Sequence, residues 1–253
     1  MPPLSFGGAA LCACVAMAAG NAAASGFDIS PTRALLSPTS KVQTLRLRNP
    51  GDIAVGFEVT IKRWQMDAGG EWKLLDLSGP SDLVVHPLSF QVEPGKTQLL
   101  RVGLARTPTG NEQAYRLLVR QLPSKKVAGA TSRIGVLTQL SLPIFISDGS
   151  AKPQPSLAVG AIENGRWRYV LRSGDNGHLD PAKVSLRLFD AGDQLLSTQA
   201  LMHDYVLAGA SLPVEAKLDP KACRNAVRFE IVAASPLASH KGALPPGPRS
   251  CAP

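Results

Sequence analysis

The sequence is poor in the residues that most often carry chemistry. Among 253 residues there are four histidines and four cysteines, and aromatic residues make up only 5%. The histidines (His86, His178, His203 and His240) are dispersed and show no metal-ligand spacing, so no metal site is expected. His86 before Pro87 and His203 before Asp204 read as surface or turn residues. No serine sits in a Gly-x-Ser-x-Gly elbow. Asp180-Pro181 and Asp219-Pro220 read as turn starters rather than as paired catalytic carboxylates. These absences exclude an enzyme reading, and no cofactor is expected. Acidic residues are the minority, 19 against 27 lysines and arginines, for a formal charge of +8. Such a balance can steer acidic partners. The basic residues are scattered, however, and Lys125-Lys126 is the only pair of adjacent lysines, so no nucleic-acid partner is expected.

Long hydrophobic runs are also missing. Met1–Ala24 carries no Asp, Glu, Lys or Arg and has a short apolar middle at Ala9–Ala19. That middle is too short to span a bilayer, which takes about 20 residues. It ends at Asn21-Ala22-Ala23-Ala24-Ser25, with small residues at Ala22 and Ala24, so residues 1–24 read as an export signal cut after Ala24. A buried N-terminal helix is the alternative. No later stretch suggests a membrane anchor. Once Cys12 and Cys14 leave with the signal, Cys223 and Cys251 remain. They are a candidate disulfide in an oxidising compartment, with two free thiols as the alternative. The bond would tether the Pro-rich tail, Leu244–Pro253, to a strand edge.

What is present is alternation. Leu45 and Leu47 face one way and Thr44, Arg46 and Arg48 the other, before Asn49-Pro50-Gly51-Asp52 turns the chain. Val55, Phe57, Val59 and Ile61 alternate up to Trp64; Leu100, Val102 and Leu104 follow Glu93-Pro94-Gly95; Tyr115, Leu117 and Val119 form a further set. Short strands with frequent turn signals and no helical period describe an all-β chain of β-sandwiches. We expect a first sandwich over residues 25–147, a linker at 148–155 rich in Gly, Pro and polar residues, and a second sandwich with a Pro-rich tail over 156–253. The tail from Ser235 is expected to be loose. Trp64, Trp72 and Trp167 read as core positions.

One segment is too long for an ordinary strand. Ile134, Val136, Thr138, Leu140, Leu142, Ile144 and Ile146 all occupy even positions and would share one face. Fully extended, the segment would run about 43 Å at about 3.3 Å per residue, well beyond common strand lengths. It is either a long buried core strand or an apolar edge kept for pairing with another polypeptide, a feature proteins otherwise blunt.

Four stretches carry a resemblance. They are Ser30–Leu36 with Arg33; Val92-Glu93-Pro94-Gly95 followed by Leu100-Arg101-Val102; Tyr115–Pro123; and Gln139–Ile146 with Leu142-Pro143-Ile144-Phe145. In this order, behind an export signal, the sequence resembles the PapD-like periplasmic pilus chaperones. The Leu-Pro-Ile-Phe ending looks like the divergent, archaic branch. The resemblance covers the first sandwich and fades in the second. It implies two immunoglobulin-like domains with a cleft between them, in the periplasm. The implied partners are pilus or fimbrial subunits, whose incomplete fold is completed by a donated strand, and an outer-membrane usher. The donor side chains would be Ile134, Val136, Thr138 and Leu140, while Leu142–Ile146 belongs to the chaperone's own sandwich. Arg33 would hold the subunit's C-terminal carboxylate. The family's second anchor, a lysine, falls on Pro143, which cannot serve; Arg101, Arg116 and Arg120 are the candidate substitutes.

The alternative is a secreted β-sandwich binding module or a structural pilus component. A structural subunit should carry its donor segment near the mature N-terminus. Here Gly26–Leu36 is short and broken by Pro31. A ligand-binding module should show an exposed aromatic face, which three widely spaced tryptophans do not suggest.

Overall fold

The computed structural model describes residues 26–67, 69–79, 82–123, 136–150, 152, 154–233, 240–244 and 250–251. Among the described residues the first half forms ten strands: β1 (Asp28–Ser30), β2 (Ala34–Leu36), β3 (Val42–Arg48), β4 (Val55–Met66), β5 (Trp72–Leu75), β6 (Leu83–His86), β7 (Ser89–Val92), β8 (Thr97–Leu104), β9 (Gln113–Gln121) and β10 (Gln139–Ile146). They make two facing sheets. One has the order β1-β3-β8-β6; the other is β2-β10-β9-β4-β5, with β7 also pairing β4. Period-2 alternation puts Leu45, Leu47, Val55, Phe57, Leu100, Val102, Leu117 and Val119 in one core between the sheets. Each of these residues contributes roughly 1.5–3 kcal/mol as its side chain leaves water. The turn after β3 is fastened from inside. Buried Asn49 donates through Nδ2 to the carbonyls of Ile53 (2.7 Å) and Val92 (3.0 Å), and its Oδ1 accepts from Gly51 N–H (3.0 Å). Its amide is thereby satisfied where an unpaired one would be costly.

The second half repeats the plan with β11 (Pro155–Glu163), β12 (Arg166–Ser173), β13 (Ala182–Phe189), β14 (Leu195–His203), β15 (Ser211–Lys217), a short helix α1 (Pro220–Asn225), β16 (Arg228–Ala233) and β17 (His240–Ala243). Sheets β11-β12-β15 and β14-β13-β16-β17 enclose a core built on Trp167, Tyr169, Leu186, Leu188 and Phe229. The protein is therefore all-β, two β-sandwiches in succession. No helix among the described residues is long and apolar enough to cross a membrane.

Four expectations need correction. Asp219 does not start a turn: it caps α1, its carboxylate accepting from Ala222 N–H at 2.8 Å with Pro220 opening the helix. Six residues are too few for a helical period to show. The tail is not wholly loose, because β17 pairs with β16 from Arg228↔Ala243 to Ile231↔His240. Trp72 lies on β5 at the edge of its sheet and is 54% exposed, while Trp64 and Trp167 are buried. His203 is buried rather than on the surface, its Nδ1 2.8 Å from Asp204 C=O.

Cys223 and Cys251 are bonded, with Cα atoms 5.7 Å apart. Cys223 sits in α1, so the bond ties the tail to a helix and not to a strand edge. Both sulfurs lie in the second core. Ser250 C=O also accepts from Gly165 N–H, which seats this segment on the turn between β11 and β12. Closing a loop of this size removes unfolded-state entropy. Cys223→Ser should cost about 3 kcal/mol, read as a urea midpoint lower than that of the oxidised parent. Equal midpoints would show that the bond adds nothing.

Candidate functional site

The outer face of the β2-β10-β9-β4-β5 sheet looks toward the second sandwich. Along β4 the core-facing positions are odd, so even-numbered Trp64 points the other way, as do Arg116 on β9 and Phe145 on β10. Trp64 and Phe145 pack with Leu171, Leu179, Val206 and Leu207 of the second half in a third apolar cluster. The two sandwiches thus share a desolvated seam, which sets their angle more firmly than a linker alone would.

Charged groups ring this seam. His178 lies flat on Phe145, with ring centroids 3.5 Å apart. Its backbone N–H and its Nδ1 both meet Glu112 Oε1 at 2.8 Å. Arg116 stacks on Trp64, its guanidinium carbon 3.6 Å from the ring centroid and 5.6 Å from that of Tyr205. Burial pulls the Arg116 pKa below the usual arginine value, opposed by Tyr205 and Asp204. Arg33 Nη1 donates to Asp180 Oδ1 at 2.7 Å across the gap between the halves. That hydrogen bond is the main reason the Arg33 pKa is raised, against the lowering effect of its partial burial. The phenol of Tyr205 is pushed up by burial and by Asp180, while Arg33 and Arg116 both pull it down. Tyr205 therefore sits within the electrostatic reach of both cations. The cleft here has a volume of about 440 Å³, lined by Arg33, Leu35, Ser37, Phe145, His178 and Asp180 among others.

The second feature is an edge. β10 pairs with β9 from Gln139↔Arg120 to Ile146↔Gln113. Gln121 N–H donates to Thr138 C=O at 2.9 Å, so even-numbered residues turn their main-chain groups toward β9 and odd-numbered ones turn theirs away. On that away side β2 covers only Ile144 to Ile146, in parallel. Gln139, Ser141 and Pro143 are left without a strand neighbour there among the described residues. Proline fits that side because its missing N–H interrupts no ladder. The Ser141 carbonyl accepts from Arg116 Nη1 at 3.4 Å.

The expected long strand is shorter than its sequence pattern. It begins at Gln139, and Val136–Thr138 precede it outside the strand, tied to β9 through the Thr138 carbonyl. The cause is the partner: after Gln121, the next residue that would turn its N–H toward this strand is Pro123, which has none. Val136 is 76% exposed and Leu137 52% exposed, Thr138 and Leu140 are half-buried, and Leu142, Ile144 and Ile146 are in the core. Ile134 lies outside the described residues. Leu137 is an exposed apolar residue that a count of even positions passes over.

Of the three arginines considered beside Arg33, Arg101 lies on β8 in the other sheet and Arg120 pairs with Glu58. Arg116 stands directly opposite Pro143 in the register and lies over Trp64 of the seam. Asp180, His178, Tyr205 and Glu112 carry no local sequence signal of a site. Asp180 reads locally as a turn starter, yet it meets a residue 147 positions away.

Residues 26–148 match the family model described as pili and flagellar-assembly chaperone, PapD N-terminal domain. No curated protein gives a sequence match. Among solved structures, the protein is similar to the CsuC–CsuE chaperone–tip adhesion subunit complex of archaic Csu pili from Acinetobacter baumannii. The identity is 20% and the TM-score 0.55, covering 87% of this chain and 98% of that one. It is similar to the class 5 fimbriae chaperone CfaA at 13% identity and TM-score 0.58, covering 87% and 100%. It is similar to the Salmonella enterica SafA pilin–SafB chaperone complex at 15% identity and TM-score 0.55, covering 87% and 96%. At these identities the likeness is one of fold.

Proposed function

We propose that this protein, which belongs through residues 26–148 to the PapD-type assembly chaperones, captures pilus or fimbrial subunits by lending them the edge of β10. The observation that carries the reading is the open side of that strand. Main-chain groups at Gln139, Ser141 and Pro143 face no strand neighbour among the described residues, and exposed Val136 and Leu137 lead into them. An extended edge of this kind gives affinity through main-chain hydrogen bonds and selects through alternate side chains. Ile134, Val136, Thr138 and Leu140 are the donor side chains in this reading, the Thr138 hydroxyl needing a partner in the subunit's groove. The archaic CsuC and the SafB chaperones, similar in fold, were solved with a tip subunit and a pilin respectively, which supports subunits as the partner class.

Arg33 and Arg116 form the carboxylate anchor. Arg33 lines the interdomain cleft, and Arg116 lies over Trp64 in the seam between the sandwiches, beside the position that Pro143 leaves without charge. A guanidinium presents five donors in a planar fork, a shape matched to a carboxylate. Receipt of the subunit by an outer-membrane usher, and residence in the periplasm, follow from the same reading. The export-signal pattern of Met1–Ala24 and the Cys223–Cys251 bond support that compartment.

The deciding experiment is affinity purification of the tagged protein from periplasmic extract of its native host. A small β-rich protein in about equal amount is the expected result. A chaperone that emerges alone while the host's pili are being assembled would sink the reading.

A further inference from the structure

The first anchor residue is already occupied in the free protein. Arg33, at the start of the first sandwich, holds a carboxylate that belongs to the second one. Nη1 donates to Asp180 Oδ1 at 2.7 Å, with the two side chains 45% and 40% exposed. The partner group is chemically what the C-terminus of a polypeptide would present, a lone carboxylate on a short stem. It stands at the wall of the cleft of about 440 Å³ in which such a terminus would have to lie.

The segment carrying Asp180 does not depend on Arg33 for its place. Two residues earlier, His178 is stacked on Phe145 and gripped by Glu112 through both its N–H and its Nδ1. Leu179 is fully buried and exchanges two main-chain hydrogen bonds with Val206. Asp180 can therefore swing off Arg33 without loosening its own backbone. Its Oδ1 also lies 3.4 Å from His178 Nε2.

We infer that Asp180 is an internal stand-in for the subunit's terminal carboxylate, holding Arg33 until that carboxylate takes its place. The inference rests on the assignment of Arg33 to the anchor. An exposed ion pair is weak enough to yield to a ligand that brings further contacts, since such pairs contribute little net stability. It is strong enough to discourage stray anions that bring none. Exchange of one carboxylate for the other keeps Arg33 paired throughout, so the cleft never holds an unpaired cation. Subunit binding would at the same time break one tie between the sandwiches, linking occupancy to their relative motion.

The test uses sodium acetate as the carboxylate and follows the Nε–Hε resonance of Arg33 by NMR, assigned by its loss in Arg33→Lys. Titrations run at constant ionic strength, with acetamide as the uncharged control. Asp180→Asn should respond to acetate with a half-saturation concentration about threefold lower than the parent, and neither should respond to acetamide. Asp180→Ala should behave as Asp180→Asn, which separates loss of the carboxylate from any effect of the amide. An acetate response in both variants that equals the parent's, or is weaker, would overturn the stand-in role. The anchor itself is read separately, by subunit capture in Arg33→Ala. If that variant captures normally, the anchor assignment falls. If it fails while acetate affinity is unchanged by Asp180→Asn, only the stand-in falls.

Discussion

Val136→Asp combined with Leu140→Asp is expected to abolish subunit capture. In the proposed complex each apolar donor contributes roughly 1.5–3 kcal/mol by entering the subunit's groove. Replacing one by a carboxylate forfeits that amount and adds the cost of burying a charge. The pair together should lower affinity by more than about a thousandfold. The two positions differ in what they cost the free protein. Val136 is mostly in water, so its replacement should leave the urea midpoint unchanged. Leu140 is half-buried opposite Val119 on β9, and an aspartate there will lower stability by about 1 kcal/mol. Val136→Asp alone therefore separates capture from folding. It should weaken co-purification of the subunit by at least about tenfold in a protein as stable as the parent. Undiminished capture by the double variant would remove the β10 edge from the function.

Arg33→Ala should weaken capture by about ten- to a hundredfold, the range set by one charge-assisted hydrogen bond of about 1.5–3 kcal/mol. Its cost to the free protein is small, because the pair it breaks with Asp180 is partly exposed. Arg116 needs a gentler change, since its guanidinium lies over Trp64 and an alanine would strip packing as well as charge. Arg116→Gln keeps the stem and removes the cation. Acting on one carboxylate, the two variants should be less than additive when combined, as groups in one network are. Binding constants measured on the co-purified subunit decide the point. Strict additivity would mean that the two arginines serve different groups, and an unchanged constant for either would take that residue out of the anchor.

The features legible in the sequence are those with a local period. Leu45 and Leu47 against Arg46 and Arg48, or Tyr115, Leu117 and Val119 against their neighbours, declare a half-buried strand wherever they occur, because side chains alternate across any extended backbone. The family resemblance also assigns Leu142, Ile144 and Ile146 to the protein's own sandwich, and they lie in the first core. The pattern misjudges where β10 begins. Alternation continues back to Ile134, yet strand pairing also requires a neighbour, and β9 stops supplying one after Gln121. It misses α1 because a helix of under two turns shows no period, although Asp219-Pro220 is a sound helix start once the helix is seen.

The sequence by itself determined the class of fold, the two successive β-sandwiches, the pair of cysteines and the segment with a donor's pattern. Each rests on neighbouring residues or on simple counting. Only the tertiary structure decided the cleft. It brought Arg33 to Asp180 and His178 to Glu112, set Arg116 over Trp64 and opposite Pro143, and sent Trp64 and Phe145 outward to join the two halves. The physical reason is separation in sequence. A contact between residues 147 positions apart leaves no mark on the local period of either, and it exists only once two independently patterned sandwiches have packed face to face.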